Sequence, residues 1–120
     1  MTRSTTTTTQ ITERESTMSH TLVTYTVKPG REEENAALVR AVFEELAQTR
    51  PAGFRYAVFY LPDTRQFIHL YTDDGSTTGV QGLASFQAFI AGAKEIHEQP
   101  ATFTQPELIG DYRTFDHPGL

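Results

Sequence analysis

The stretch TVKPGREEENAALVRAVF, residues 26–43, decides how the rest of the chain is read. Its left end closes an alternating run. In TLVTYTV, residues 21–27, Val23, Tyr25 and Val27 fall on one face and Leu22, Thr24 and Thr26 on the other, the two-residue period of a strand. Pro29-Gly30 ends that strand, because proline has no amide to give to a ladder and glycine permits a turn. From Arg31 to about Gln48 the period changes, and Val39, Val42, Phe43 and Leu46 make one helical stripe. Glu32, Glu33 and Glu34 stand at the junction. Paired carboxylates can hold a metal or do acid–base work. Successive helical residues point about 100° apart, however, so three in a row do not converge on one ion. Acids in a first turn offset the helix dipole, and the three glutamates read as the start of a helix.

Outward from this stretch, Pro51 and Gly53 stop the helix, and FRYAVFYL, residues 54–61, forms an aromatic strand. The turn signal Pro62-Asp63-Thr64 joins it to QFIHLYT, residues 66–72, as an antiparallel hairpin. DDGSTTGVQG, residues 73–82, reads as a mobile loop, either a lid or a connector. A second amphipathic helix spans residues 84–97, with Phe86, Phe89, Ile90, Ala93 and either Ile96 or His97 inward. Pro100 closes it, and the last strand is expected within PELIGDYRTF, residues 106–115. The order β-α-β-β-α-β predicts an α+β, ferredoxin-like fold, with one antiparallel sheet and both helices on one of its faces. Helices cover only one face, yet Tyr56, Val58 and Tyr60 alternate with Ala57, Phe59 and Leu61. Large apolar side chains are left over whichever face is covered, and a second copy packed sheet to sheet is the economical partner.

A chain of 120 residues fits one domain, expected over residues 19–120. Residues 1–18 hold eight threonines and two serines, with Met1, Ile11 and Met18 as their apolar content. Such a head buries too little to offset its ordering entropy and is expected to be disordered. It lacks the apolar core of a secretory signal. Its threonine run fits a linker, an ill-defined start or an O-modified stalk, and Met18 is a candidate second start. The head carries two acids and two bases, so the net charge of −5 lies in residues 19–120. Lysines and arginines are scattered singly, which argues against nucleic acid and against an anionic membrane surface. No apolar run approaches the roughly 18 residues of a membrane-spanning helix. With no cysteine, disulfides, thiolate catalysis and iron–sulfur clusters are excluded, and a reducing cytoplasm is compatible.

The strand into VKPGREEEN, the hairpin FRYAVFYLPDTRQFIHLYTDD and the helix LASFQAFIAGAKEIH together resemble the dimeric α/β-barrel proteins of the antibiotic-biosynthesis-monooxygenase type. The resemblance covers residues 21–115. It implies a barrel-like homodimer made by pairing sheet faces, and a pocket between sheet and helices for a small aromatic or quinol-like ligand. Some members oxidise phenols or quinols with O₂ and no cofactor, some degrade haem, and many have no known activity. Haem-degrading members and several polyketide oxidisers use a pocket tryptophan, and members bind substrate through a strand asparagine. This chain has no tryptophan, and its one asparagine, Asn35, opens a helix. The implied function is a pocket protein resembling cofactor-independent monooxygenases, the alternative being a non-catalytic dimeric binding or stress-response module.

Among single residues, His69 is the candidate catalytic base. It lies mid-strand in FIHLY on the face of Phe67 and Tyr71, where an imidazole near neutral pH takes a proton from a phenol. A histidine bonded within the dimer interface is the competing reading. Tyr25, Tyr56, Tyr60 and Tyr71, in an aromatic set that also takes in Tyr112, are candidates to line a pocket and bond a phenol or quinone oxygen. As core and interface residues they need no ligand, and both roles are compatible. His97 either reaches the pocket mouth or interacts with helix C-terminal carbonyls. Arg55 is a candidate for an anionic substrate group, and like Arg113 it also fits a cross-sheet pair with Asp111. His97-Glu98 and Asp73-Asp74 lack the spacing of a helical metal pair, and no phosphate loop or serine elbow is present. No metal or cofactor is expected.

Overall fold

The computed structural model describes residues 18–75 and 79–114. Six elements follow in the expected order: β1 (Ser19–Thr26), α1 (Glu32–Thr49), β2 (Phe54–Leu61), β3 (Gln66–Asp73), α2 (Ala84–Ile96) and β4 (Thr102–Thr104). The sheet order is β2-β3-β1-β4, and every neighbouring pair is antiparallel. Two split βαβ units interlock in this order, the ferredoxin-like arrangement. The expected disordered head, residues 1–17 in particular, lies outside the described residues.

At the β1–α1 junction Gly30 takes φ 86°, and the Arg31 amide donates to the Lys28 carbonyl at 3.0 Å, closing the turn that Pro29-Gly30 encodes. The three glutamates fill the first turn of α1. Glu34 accepts from Arg31 Nε at 2.6 Å, and Glu33 lies 3.7 Å from Arg40. These pairs are exposed and contribute little, so the glutamates serve the helix start. At the other end Arg50 turns left-handed at φ 48° and returns its amide to the Leu46 carbonyl at 2.8 Å.

Both helices pack on one face of the sheet. Val39 and Val42 of α1 and Phe89 and Ile96 of α2 share a core with Val23, Tyr25, Val27 and Phe67. The loop expected to be mobile contributes to this core. Val80 and Leu83 are buried, the Leu83 amide donates to the Val80 carbonyl at 3.0 Å, and Gly79 lies so near the Phe54 ring that a Cβ there would come within 2.9 Å. Residues 76–78 are outside the described set.

The last strand is three residues long and lies before the expected segment. Thr102, Phe103 and Thr104 pair with Thr24, Val23 and Leu22. Pro106 offers no amide to the ladder, so pairing stops there, and Leu108, Ile109 and Tyr112 beyond it are exposed. Arg113 sits at φ 55° outside any strand, which removes the cross-sheet geometry expected for it with Asp111. Among the described residues no helix is long and apolar enough to cross a membrane.

Ile96 is 1% exposed, and its carbonyl accepts from Lys28 at 2.8 Å, fastening the end of α2 to the start of α1. Ile96→Ala is expected to cost about 2–5 kcal/mol, the range for a buried aliphatic truncation, read as a lower midpoint at unchanged slope in urea unfolding.

Candidate functional site

Strand alternation delivers five of the predicted residues, Tyr25, Tyr56, Tyr60, His69 and Tyr71, to the helix-facing side of the sheet. His69 stands in β3 directly opposite Val23 of β1 and Val58 of β2. Its diagonal neighbours two residues along are Tyr25 on one flank and Tyr56 on the other, within reach of long aromatic side chains. Tyr25 Oη lies 2.7 Å from His69 Nε2, and Tyr56 Oη lies 2.7 Å from His69 Nδ1. Both ring nitrogens are therefore held by phenols. Tyr71 is directly opposite Tyr56 and meets it edge to face.

Two further groups complete this row. Asn35, on the stripe of Val39 and Val42, is wholly buried and donates from Nδ2 to Tyr25 Oη at 2.9 Å. Its Oδ1 lies 3.4 Å from His97 Nε2. His97 does not end α2 as a helical residue. It takes an extended conformation, bridges to Val27, and stacks its ring on Tyr25 with centroids 3.8 Å apart. The His97 amide donates to the Ala93 carbonyl at 2.8 Å, while its ring packs in the core against Tyr25 instead of meeting the helix carbonyls as a cation.

Burial controls the charge state of the row. Tyr25 and His69 are each 4% exposed. Desolvation lowers the His69 pKa to about 4, with the neighbouring His97 adding to the shift, and burial lowers that of His97 too. Desolvation raises the pKa of Tyr25 against the opposing hydrogen bond from Asn35, and raises that of Tyr56 with help from the adjacent phenols. At neutral pH all four groups are uncharged, so the row is a chain of neutral hydrogen bonds.

The row floors a cavity of about 850 Å³ between the sheet and α2. That is within the range of small-molecule sites. Tyr25, Tyr56, His69, Tyr71 and His97 all line it, with Phe86, Phe89 and Phe103 among the apolar walls. Two predicted residues are not brought there. Arg55 alternates onto the opposite face of the sheet and is exposed. Tyr60 shares the helix-facing side but lies further along β2, tilted against Phe67 with centroids 4.7 Å apart. Asn35 was missed as a site residue. Its signal was a lone amide at i, i+4 and i+7 from Val39 and Val42, on the buried stripe itself. Among the described residues no three histidine or carboxylate groups converge as a metal site.

The lowered His69 pKa links stability to pH. Unfolding restores the ordinary value of 6.5, so below that pH the unfolded chain binds the proton that the folded one refuses. The His69 contribution is complete above about pH 6.5 and declines as pH falls toward 4, by about 3 kcal/mol at pH 4. Urea unfolding across this window is expected to show the decline, and a His69→Gln variant is expected to show a smaller one.

No family model matches the chain, and no curated protein matches it. Solved structures do. A protein from Nitrosomonas europaea named as a candidate antibiotic biosynthesis monooxygenase superposes with TM-score 0.64 at 16% identity, covering 77% of this chain and 90% of its own. A protein so named from Bacteroides thetaiotaomicron gives TM-score 0.65 at 15% identity, over 86% of this chain and 93% of its own. PA3566 from Pseudomonas aeruginosa gives 0.60 at 21% identity, over 78% and 95%. At these identities the likeness is one of backbone, and the chain has the ferredoxin-like fold of the antibiotic-biosynthesis-monooxygenase structures.

Proposed function

We propose that this chain is a small-molecule pocket protein for a compact phenol- or quinol-like aromatic, and that it oxidises that ligand with O₂. The observation that carries the reading is the cavity itself: aromatic walls around a buried phenol–imidazole–phenol row, at a volume suited to a ligand of two or three rings. For a hydroquinone the reaction balances without a further reductant. One oxygen atom enters the ring to give a hydroxyquinone, the other leaves as water, and two electron pairs come from the substrate. Tyr56 and Tyr71 present their hydroxyls to the ligand. His69, with both nitrogens engaged, acts through Tyr56 rather than as a base touching the ligand. The names of the structural neighbours support the reaction class.

A non-catalytic binding module is the second reading, favoured by the sealed, neutral state of His69. Oxygen uptake separates the two. A panel of hydroquinones that includes 1,4-naphthohydroquinone is expected to consume O₂ faster than in protein-free buffer. Tyr56→Phe is expected to lower kcat about 10²–10³-fold, the cost of removing one donor to a developing oxyanion. Saturable binding of the panel without uptake would leave the binding module, and absence of both would overturn the pocket reading.

The same reading makes the working unit a homodimer joined through the outer sheet face. Phe59 is 44% and Leu61 36% exposed on that face, which neither helix covers. Sedimentation at micromolar protein is expected to give a dimer that Phe59→Glu converts to a monomer. A wild-type monomer would contradict it.

A further inference from the structure

We infer that the hydrogen bonds on the cavity floor run in one direction, from Asn35 through Tyr25 and His69 to Tyr56, so that the Tyr56 hydroxyl proton faces the cavity and selects ligands with an acceptor oxygen. This rests on the reading of the cavity as a ligand pocket and adds to it the polarity of the group that meets the ligand.

Asn35 approaches Tyr25 through its amide nitrogen, which only donates. Tyr25 therefore accepts from Asn35 and retains one hydrogen of its own. Its other polar neighbour is His69 Nε2, at 2.7 Å. If Tyr25 donates there, every polar atom at this buried point is satisfied. If instead Nε2 carries a hydrogen toward Tyr25, the phenol accepts twice and its own hydrogen is buried without an acceptor, a loss comparable to a broken hydrogen bond. The first arrangement wins. A neutral imidazole that accepts at Nε2 carries its hydrogen on Nδ1. Nδ1–H then donates to Tyr56 Oη, 2.7 Å away. Tyr56 is left with a hydrogen that nothing in the row consumes, and Tyr56 lines the cavity.

The consequence is selectivity. A donor whose oxygen already accepts from Nδ1–H is polarised toward giving its own proton to the ligand. It suits a quinone carbonyl or a phenolate oxygen on an apolar body. Asn35 is the positioning residue for this polarity, although it does not touch the cavity floor's last member. An aspartate in its place, once ionised, offers acceptors only, so Tyr25 would turn its hydrogen toward residue 35 and accept from His69 Nε2–H. Nδ1 would then take the proton of Tyr56, and the floor would lose its free donor.

Nitrogen-15 NMR reads the direction without any ligand, because two-bond proton–nitrogen correlations identify which His69 nitrogen carries hydrogen. The Nδ1–H tautomer is expected in the wild type and in Tyr56→Phe, and the Nε2–H tautomer in Asn35→Asp. An Nε2–H tautomer in the wild type overturns the inference, whether or not the Asn35→Asp variant folds. The ligand arm compares 1,4-naphthoquinone, which only accepts, with naphthalene, which does neither, by chemical-shift titration. The wild type is expected to prefer the quinone, and Tyr56→Phe to bind the quinone about three- to tenfold more weakly, with naphthalene unchanged. Equal quinone affinity in wild type and Tyr56→Phe overturns the selectivity. Failure of the wild type to bind the quinone at all, with the Nδ1–H tautomer present, overturns the selectivity and the pocket reading while supporting the direction of the row.

Discussion

The Tyr25 hydroxyl is the point on which the interior depends. Its backbone belongs to β1, the amide it accepts from belongs to α1, and the imidazole beside it belongs to β3. Its ring stacks on Phe67 at 5.7 Å and on His97 at 3.8 Å, and it tilts against Phe89 of α2. One side chain thus ties two strands to both helices. A phenol suits the position because it buries a large apolar ring while its one polar atom finds partners. Losing the oxygen would leave the Asn35 amide and His69 Nε2 facing each other's empty partner in a dry core, each at the cost of an unmade hydrogen bond.

The two faces of the sheet divide the work. The helix-facing side holds Tyr25, His69, Tyr56 and Tyr71, and its polar atoms are joined into one row instead of being scattered. Among the described residues no buried side-chain nitrogen or oxygen is without a partner. A satisfied network of this kind specifies one arrangement of its members and stays neutral. The outer side carries Arg55, Ala57, Phe59 and Leu61 and contributes nothing to that pocket. Its apolar exposure is what a partner surface would cover.

How far the sequence foretold this depended on the kind of signal. Period-two alternation in residues 21–27, 54–61 and 66–72 located three strands, and it also put His69, Tyr25, Tyr56 and Tyr71 on one face before any contact was known. Short-range turn chemistry at Pro29-Gly30 and Pro62-Asp63 fixed the connections. Most departures were cases in which tertiary contacts overrode local pattern. PELIGDYRTF has strand composition, but β1 offers its edge to residues 102–104, and Pro106 prevents continuation. DDGSTTGVQG has loop composition, yet Val80 is drawn into the core. Asn35 looked like a helix-start polar residue, since a buried amide is recognised only by the partners that other elements bring to it. Arg55 was one position out of phase with the site, and a single step along a strand exchanges faces.

Tyr25 sits in a buried chain of hydrogen bonds linking Asn35 to His69. Its hydroxyl proton should then be shielded from solvent. In a proton NMR spectrum near neutral pH, a separate, slowly exchanging Tyr25 hydroxyl signal is expected, with a nuclear Overhauser contact to the Asn35 side-chain amide and a scalar coupling across to His69 Nε2. A Tyr25 hydroxyl that exchanges with water too fast to observe would contradict it.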